Sequence, residues 1–263
     1  MSHLEIATPT ADHSSSGAPD IAAPASRTIA EAIGYYFSGS LYWVGGWCFL
    51  AGSILYYPRY ANIYDSEGLG AIIGAWLFVV GCITFLVGSC WDVYCARACE
   101  GTGALRYFPV TCSLINVIGS IQFVIGGVYF VPVVYATAPS AGCYLFITGC
   151  SCFIVALLVD LARMLQSGTL RGQAWWYAAA HFNVLGNILF IVGSYYFLPE
   201  FLTPTDDSPE AIAIATDNTV FAINNFVVGS VAFVLAPTAQ LIAAYKEPIA
   251  VPTEATKELA QLV

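Results

Sequence analysis

The side chains with most chemical capacity recur at matching places in three similar stretches. Tyr42, Asn116 and Asn183 each stand three positions before a glycine, and Asp92, Asp160 and Gln240 each stand eleven positions after another. Register pairs Tyr42 with Asp92, Asn116 with Asp160 and Asn183 with Gln240. A phenol, amides and carboxyls so paired can staple two helices by hydrogen bonds, or can line a polar mouth where a solute, ion or proton enters a membrane. Their place near the ends of apolar segments favours the staple. Gln122 and Asn187 lie deeper, and suit a neutral solute better than a cation. No charged residue occupies the middle of an apolar segment, where a proton-coupled pump would carry one.

Other reactive groups are sparse. Cys95 and Cys99 stand four apart beside Arg97, so both thiols can share one helical face, where they are candidates for S-palmitoylation or for plain packing. A zinc site would need two further ligands that the neighbouring chain does not supply. His181 has no second histidine in a span with which to hold a haem. No metalloprotease, nucleophile-elbow, phosphate-loop or kinase pattern occurs. The expectation is a protein without catalytic residues, metal or cofactor.

The elements that position these residues carry a glycine signature. Gly45, Gly52, Ser53 and Pro58 spell G-x6-G-S-x4-P; the spacing returns at Gly119, Gly126, Gly127 and Pro132 and at Gly186, Gly193, Ser194 and Pro199. Each copy is followed by F-x2-G-[CS]-x2-F, containing Gly81, Gly149 and Gly229 in turn, with Gly88 seven residues after Gly81. Small residues seven apart lie on one helical face and let two backbones approach closely in lipid, where no hydrophobic force draws helices together. Each proline ends a helix and opens a turn.

Of the 263 residues, 58% are hydrophobic and 10% charged, against about 25% charged in soluble domains. Six apolar segments, near 38–57, 71–92, 111–131, 142–164, 178–198 and 219–241, each approach the ~20 residues that cross a bilayer as a helix. The expected fold is all-α: six transmembrane helices as three repeated hairpins at 35–95, 108–164 and 178–242, between a disordered arm (1–34) and a polar tail (243–263). Arg27, Arg97, Arg106, Arg163, Arg171, Lys246 and Lys257 fall on one side and Arg59 on the other, which places both termini in the cytoplasm. With no basic patch to meet phosphates, nucleic acid is excluded as a partner. The bilayer is the expected partner, with a protein or a second copy beside it.

The unit G-x6-G-S-x4-P, followed by W-L-F-V-V-G-C-I-T-F-L-V-G-S at 76–89, resembles the YrhK-like family of small membrane domains, and residues 186–199 are similar to the first helix of the same unit. The second copy departs from it, with Gly127 in place of serine and a shorter hairpin loop. The resemblance spans most of 38–241. It implies a two-helix integral membrane module with no established activity, and it carries no catalytic residue onto this chain. Two functions follow as expectations: a packed structural, scaffolding or partner-binding bundle, or a channel or transporter for a small neutral solute.

Overall fold

The computed structural model describes residues 29–63, 68–97, 107–167 and 174–246. These fold as α1 (Ile29–Leu55), α2 (Pro58–Ala61), α3 (Leu69–Ala96), α4 (Phe108–Tyr129), α5 (Pro132–Tyr135), α6 (Ala141–Ser167), α7 (Ala174–Tyr196), α8 (Pro199–Leu202) and α9 (Pro209–Lys246). Proline sets the three short helices. Pro58, Pro132 and Pro199 each take the first helical position, where a missing N–H costs nothing, and hold the preceding Tyr57, Val131 and Leu198 extended at ψ 139°, 125° and 144°. Each thus stops a long helix and starts one turn of helix.

Among the described residues five helices, α3, α4, α6, α7 and α9, are long and apolar enough to cross a membrane. α1, with 27 residues rich in Gly, Ser, Trp and Tyr, is not among them. It begins at Ile29, inside the stretch expected to be a disordered arm; residues 1–28 and 247–263 lie outside the described residues.

The long helices pack as antiparallel pairs, α1 with α3, α4 with α6 and α7 with α9. Glycine sets the contact in all three. A Cβ built on Gly52 would come within 2.9 Å of the Gly74 carbonyl; Gly119 approaches the Gly149 carbonyl at 3.0 Å, and Gly186 the Gly229 carbonyl at 3.2 Å. The pairs then join edge to edge. α3 packs on α4, α6 on α7, and α9 returns to α1, so six helices form a closed ring. Pro237 sits inside α9 and has no N–H for the Phe233 carbonyl one turn before it. Gly46 of α1 covers that carbonyl, where an added Cβ would lie 2.8 Å from the oxygen.

The ring is apolar on its outside as well as in its core. Its outside carries exposed Trp76, Val80, Ile83, Ile118, Ile125 and Val228, while Ser38, Ser53, Ser89, Ser120, Ser194 and Ser230 are buried. Continuous apolar exposure of this kind belongs against hydrocarbon. α9 has 38 residues, about 57 Å at 1.5 Å per residue, so it outreaches a hydrocarbon core of about 30 Å.

Candidate functional site

Two regions could carry a function: a polar cluster at the basal end, where α1 begins and α9 ends, and the axis of the ring. In the basal cluster, spacing of four along α1 turns Ser38 and Tyr42 toward α3. The Tyr42 hydroxyl donates to Asp92 Oδ2 at 2.7 Å and lies 3.2 Å from Ser89 Oγ. The Ser38 hydroxyl, buried beside them, donates to the Gly34 carbonyl at 3.4 Å. Ser89 Oγ lies 3.0 Å from Ser120 Oγ on α4 and 2.9 Å from the Phe85 carbonyl, to which it donates. One chain of hydroxyls therefore joins a carboxylate near the basal end to the α3–α4 contact. Every member has a partner, the arrangement by which polar groups tie helices together in lipid.

The axis is filled by aromatic rings. Phe49, Phe123 and Phe190 are fully buried and form a triangle with centroids 6.2, 5.8 and 6.4 Å apart. Toward the proline end, Phe78 meets Phe146 and Phe226 at 6.0 and 6.1 Å. Beyond these, Phe197 meets Tyr56 and Phe130 at 6.0 and 5.7 Å, and the Tyr56 hydroxyl donates to the Phe130 carbonyl at 3.2 Å. Toward the basal end, Phe85 meets Phe153 and Phe233 at 6.4 and 5.9 Å. A void of about 10 Å³ remains between Tyr56, Phe78, Phe130, Phe146, Phe197 and Phe226. That is at most about one water's worth of space, and its walls are rings that offer water no set of partners.

Nine of the axial rings each rest on a glycine of the facing helix. Phe49 lies over Gly81, Phe123 over Gly149 and Phe190 over Gly229; in return, Phe85 lies over Gly45, Phe153 over Gly119 and Phe233 over Gly186, and Phe78, Phe146 and Phe226 cover Gly52, Gly126 and Gly193. Gly88 faces the Tyr42 ring. Phe49, Phe123 and Phe190 were not singled out in the sequence, although each stands four residues after the first glycine of its unit, one helical turn on. That fixed offset was the available signal.

The remaining candidates are scattered. Asn116 and Asp160 are both half-buried, on α4 and α6. No hydrogen bond joins the side chains of Asn183 and Gln240; the Asn183 carbonyl instead accepts from Asn187 Nδ2 at 2.8 Å. Asn187 is 1% exposed and its Oδ1 has no partner; Ser194, two turns on, is fully buried and its Oγ has none. Gln122 is half-buried and its Oε1 is buried without a partner, one turn from Ile118 and Ile125, which are exposed. Cys95 is exposed, with its sulfur against Gly34; Cys99 lies outside the described residues. Among the described residues no three of His, Cys, Asp and Glu gather as a metal site.

The family model described as YrhK-like protein matches residues 28–95 and 174–244, just over half of the chain. No curated protein and no solved structure matches it.

Proposed function

The chain belongs to the YrhK-like protein family, and from that membership and the filled axis we propose that it is a non-enzymatic, six-span membrane protein with a structural, scaffolding or partner-binding role. α1 supplies the sixth span. It packs between α3 and α9, so in a bilayer it crosses where they cross. The three glycine-matched pairs are read as one hairpin unit repeated, two copies of which coincide with the family match. Both chain ends face the cytoplasm, on the side to which Arg97, Lys246 and most other basic residues fall.

The observation that carries this reading is the phenylalanine triangle at the centre of the ring. A solute path along the axis would have to displace Phe49, Phe123 and Phe190, each held by a glycine on a neighbouring helix. Thiol labelling tests it. In full-length protein with native cysteines replaced, Asn187→Cys and Ser194→Cys are exposed to a charged maleimide in sealed vesicles. Both should stay unlabelled until the protein is unfolded. Labelling of either in the folded protein, from the aqueous phase, would replace the scaffold with the channel or transporter for a neutral solute.

A further inference from the structure

The three joints between hairpins share one register but are held unequally. Where α9 meets α1, Ser230 Oγ lies 3.3 Å from Ser53 Oγ, and where α3 meets α4, Ser89 Oγ lies 3.0 Å from Ser120 Oγ. A pair of hydroxyls therefore crosses each of these two joints. In the α6–α7 joint Asn187 stands at the place of Ser120, and Ser194 at the place of Ser53. Gly186 and Gly193 turn toward α9; Asn187 and Ser194, each the next residue, are rotated from them by about 100° around α7, toward α6.

Neither is matched there. Both side chains are buried, and Asn187 Oδ1 and Ser194 Oγ have no partner. The joint is fastened near its proline end, where Cys143 Sγ donates to the Phe197 carbonyl at 3.5 Å, but a thiol is a weak donor. Among the described residues α6 and α7 also share the smallest contact of the three joints. Packing and polar bonding thus fall short at the same place.

We infer that the α6–α7 joint is the lateral opening of the ring: the second and third hairpins part there toward lipid, while the α9–α1 and α3–α4 joints stay closed. Closed, the joint withholds partners from two polar atoms at membrane depth and has no hydroxyl pair to offset their burial. Parted, Ser194 is free to turn its hydroxyl onto the Phe190 carbonyl one turn before it, as Ser53 turns onto the Phe49 carbonyl. Opening therefore costs less here than at the other two joints, and a structure opens first where it is least stable. The opening faces hydrocarbon, not water, so it differs from a solute path along the axis. The inference goes beyond the packed-bundle reading and rests on it for the placing of the helices in a bilayer.

The test is a distance across each joint. Val44, Ile118 and Leu185 hold one registered position and Leu235, Val87 and Val155 another, and all six are exposed on the outside. Full-length protein with native cysteines replaced is spin-labelled at one pair at a time in phosphatidylcholine–phosphatidylglycerol nanodiscs and read by pulsed dipolar spectroscopy. Val44→Cys with Leu235→Cys, and Ile118→Cys with Val87→Cys, should each give one distance. Leu185→Cys with Val155→Cys should give a second, longer one as well. Ile188→Cys with Ser151→Cys, about one turn along the same faces, repeats that measurement should the first pair fail to fold. Position 150 sets the balance, because Cys150 stands where α9 has Ser230. Cys150→Ser supplies a hydroxyl opposite Ser194 and should cut the longer population about threefold relative to Cys150→Ala, the shift of one membrane hydrogen bond. A single distance at α6–α7, a second distance of equal weight at either other joint, or no difference between the two substitutions at 150 would each overturn the inference. The packed axis is read separately, by the charged maleimide on Asn187→Cys and Ser194→Cys.

Discussion

The Phe49 ring occupies the space that Gly81 leaves empty: a Cβ built on Gly81 would lie 2.7 Å from a ring carbon. The distance is 2.6 Å for Gly149 and Phe123 and 2.7 Å for Gly229 and Phe190. Because these rings also touch one another, none can move without moving the triangle. Gly81→Ala, Gly149→Ala and Gly229→Ala should each destabilise the fold by about 1–3 kcal/mol, as overpacking of a filled core does. Gly127→Ala, whose nearest neighbour is the Cys82 sulfur at 3.4 Å, should be close to neutral. Steric-trapping measurements in bicelles would check this, and an equal loss at all four positions would refute the fitted-pair account.

Tyr42 and Asp92 give a second expectation. Tyr42→Phe keeps the ring against Phe85, 5.1 Å away, and removes only the hydroxyl that joins Asp92 to Ser89. A double-mutant cycle of Tyr42→Phe and Asp92→Asn should show a coupling of about 0.6–2 kcal/mol, the range for membrane side-chain hydrogen bonds. A coupling near zero would remove the staple.

Ser194 and Ser53 stand at the same place in their motifs but should respond oppositely. Ser53 Oγ donates to the Phe49 carbonyl at 2.7 Å and lies 3.3 Å from Ser230 Oγ, so Ser53→Ala should cost about 0.5–1.5 kcal/mol. Ser194 has no partner for its buried hydroxyl. Ser194→Ala should leave stability unchanged or raise it, and a loss as large as that at Ser53 would show that a partner is present.

The start of α9 should respond to pH. Asp206 Oδ1 accepts the Ser208 N–H at 2.8 Å, and Ser208 Oγ accepts the Ala211 N–H at 3.2 Å. Hydrogen bonds from Ser208 hold the Asp206 carboxyl below its ordinary range. A carboxyl depressed on folding adds order that is fully present above its unfolded value, about 3.9, and that is lost as pH falls through the lower folded value. Amide exchange at Ala211 should therefore quicken on acidification through that window, and Asp206→Asn should abolish the step.

The glycines and prolines were legible in the sequence because their jobs are local: a glycine admits a neighbour wherever it stands, and a proline stops a helix wherever it stands. The aromatic triangle was harder to see. Phe49, Phe123 and Phe190 read as ordinary apolar residues, and only the closing of the ring brings three distant turns to one point. The beginning of α9 was also missed. Residues 209–218 read as loop because Glu210 and Asp217 interrupt their apolar character, yet Ser208 before Pro209 is a cap followed by a favoured first residue. Depth in its segment, which the sequence gives for Gln122, does not give its direction. Gly119 and Gly126, one turn to either side of it, face α6 and set Gln122 on that side of α4, where its Oε1 is buried.

The return of α9 to α1 makes the order of the hairpins along the chain arbitrary. Gly39 and Leu241 already touch near the basal end, where an added Cβ would lie 2.8 Å from the leucine. A loop joining that end of α9 to the start of α1, with a cut between α3 and α4, would yield a circular permutant that begins at the second hairpin. Every ring–glycine pair and every helix contact would survive in it. The molecule behaves as a cycle written out on a line.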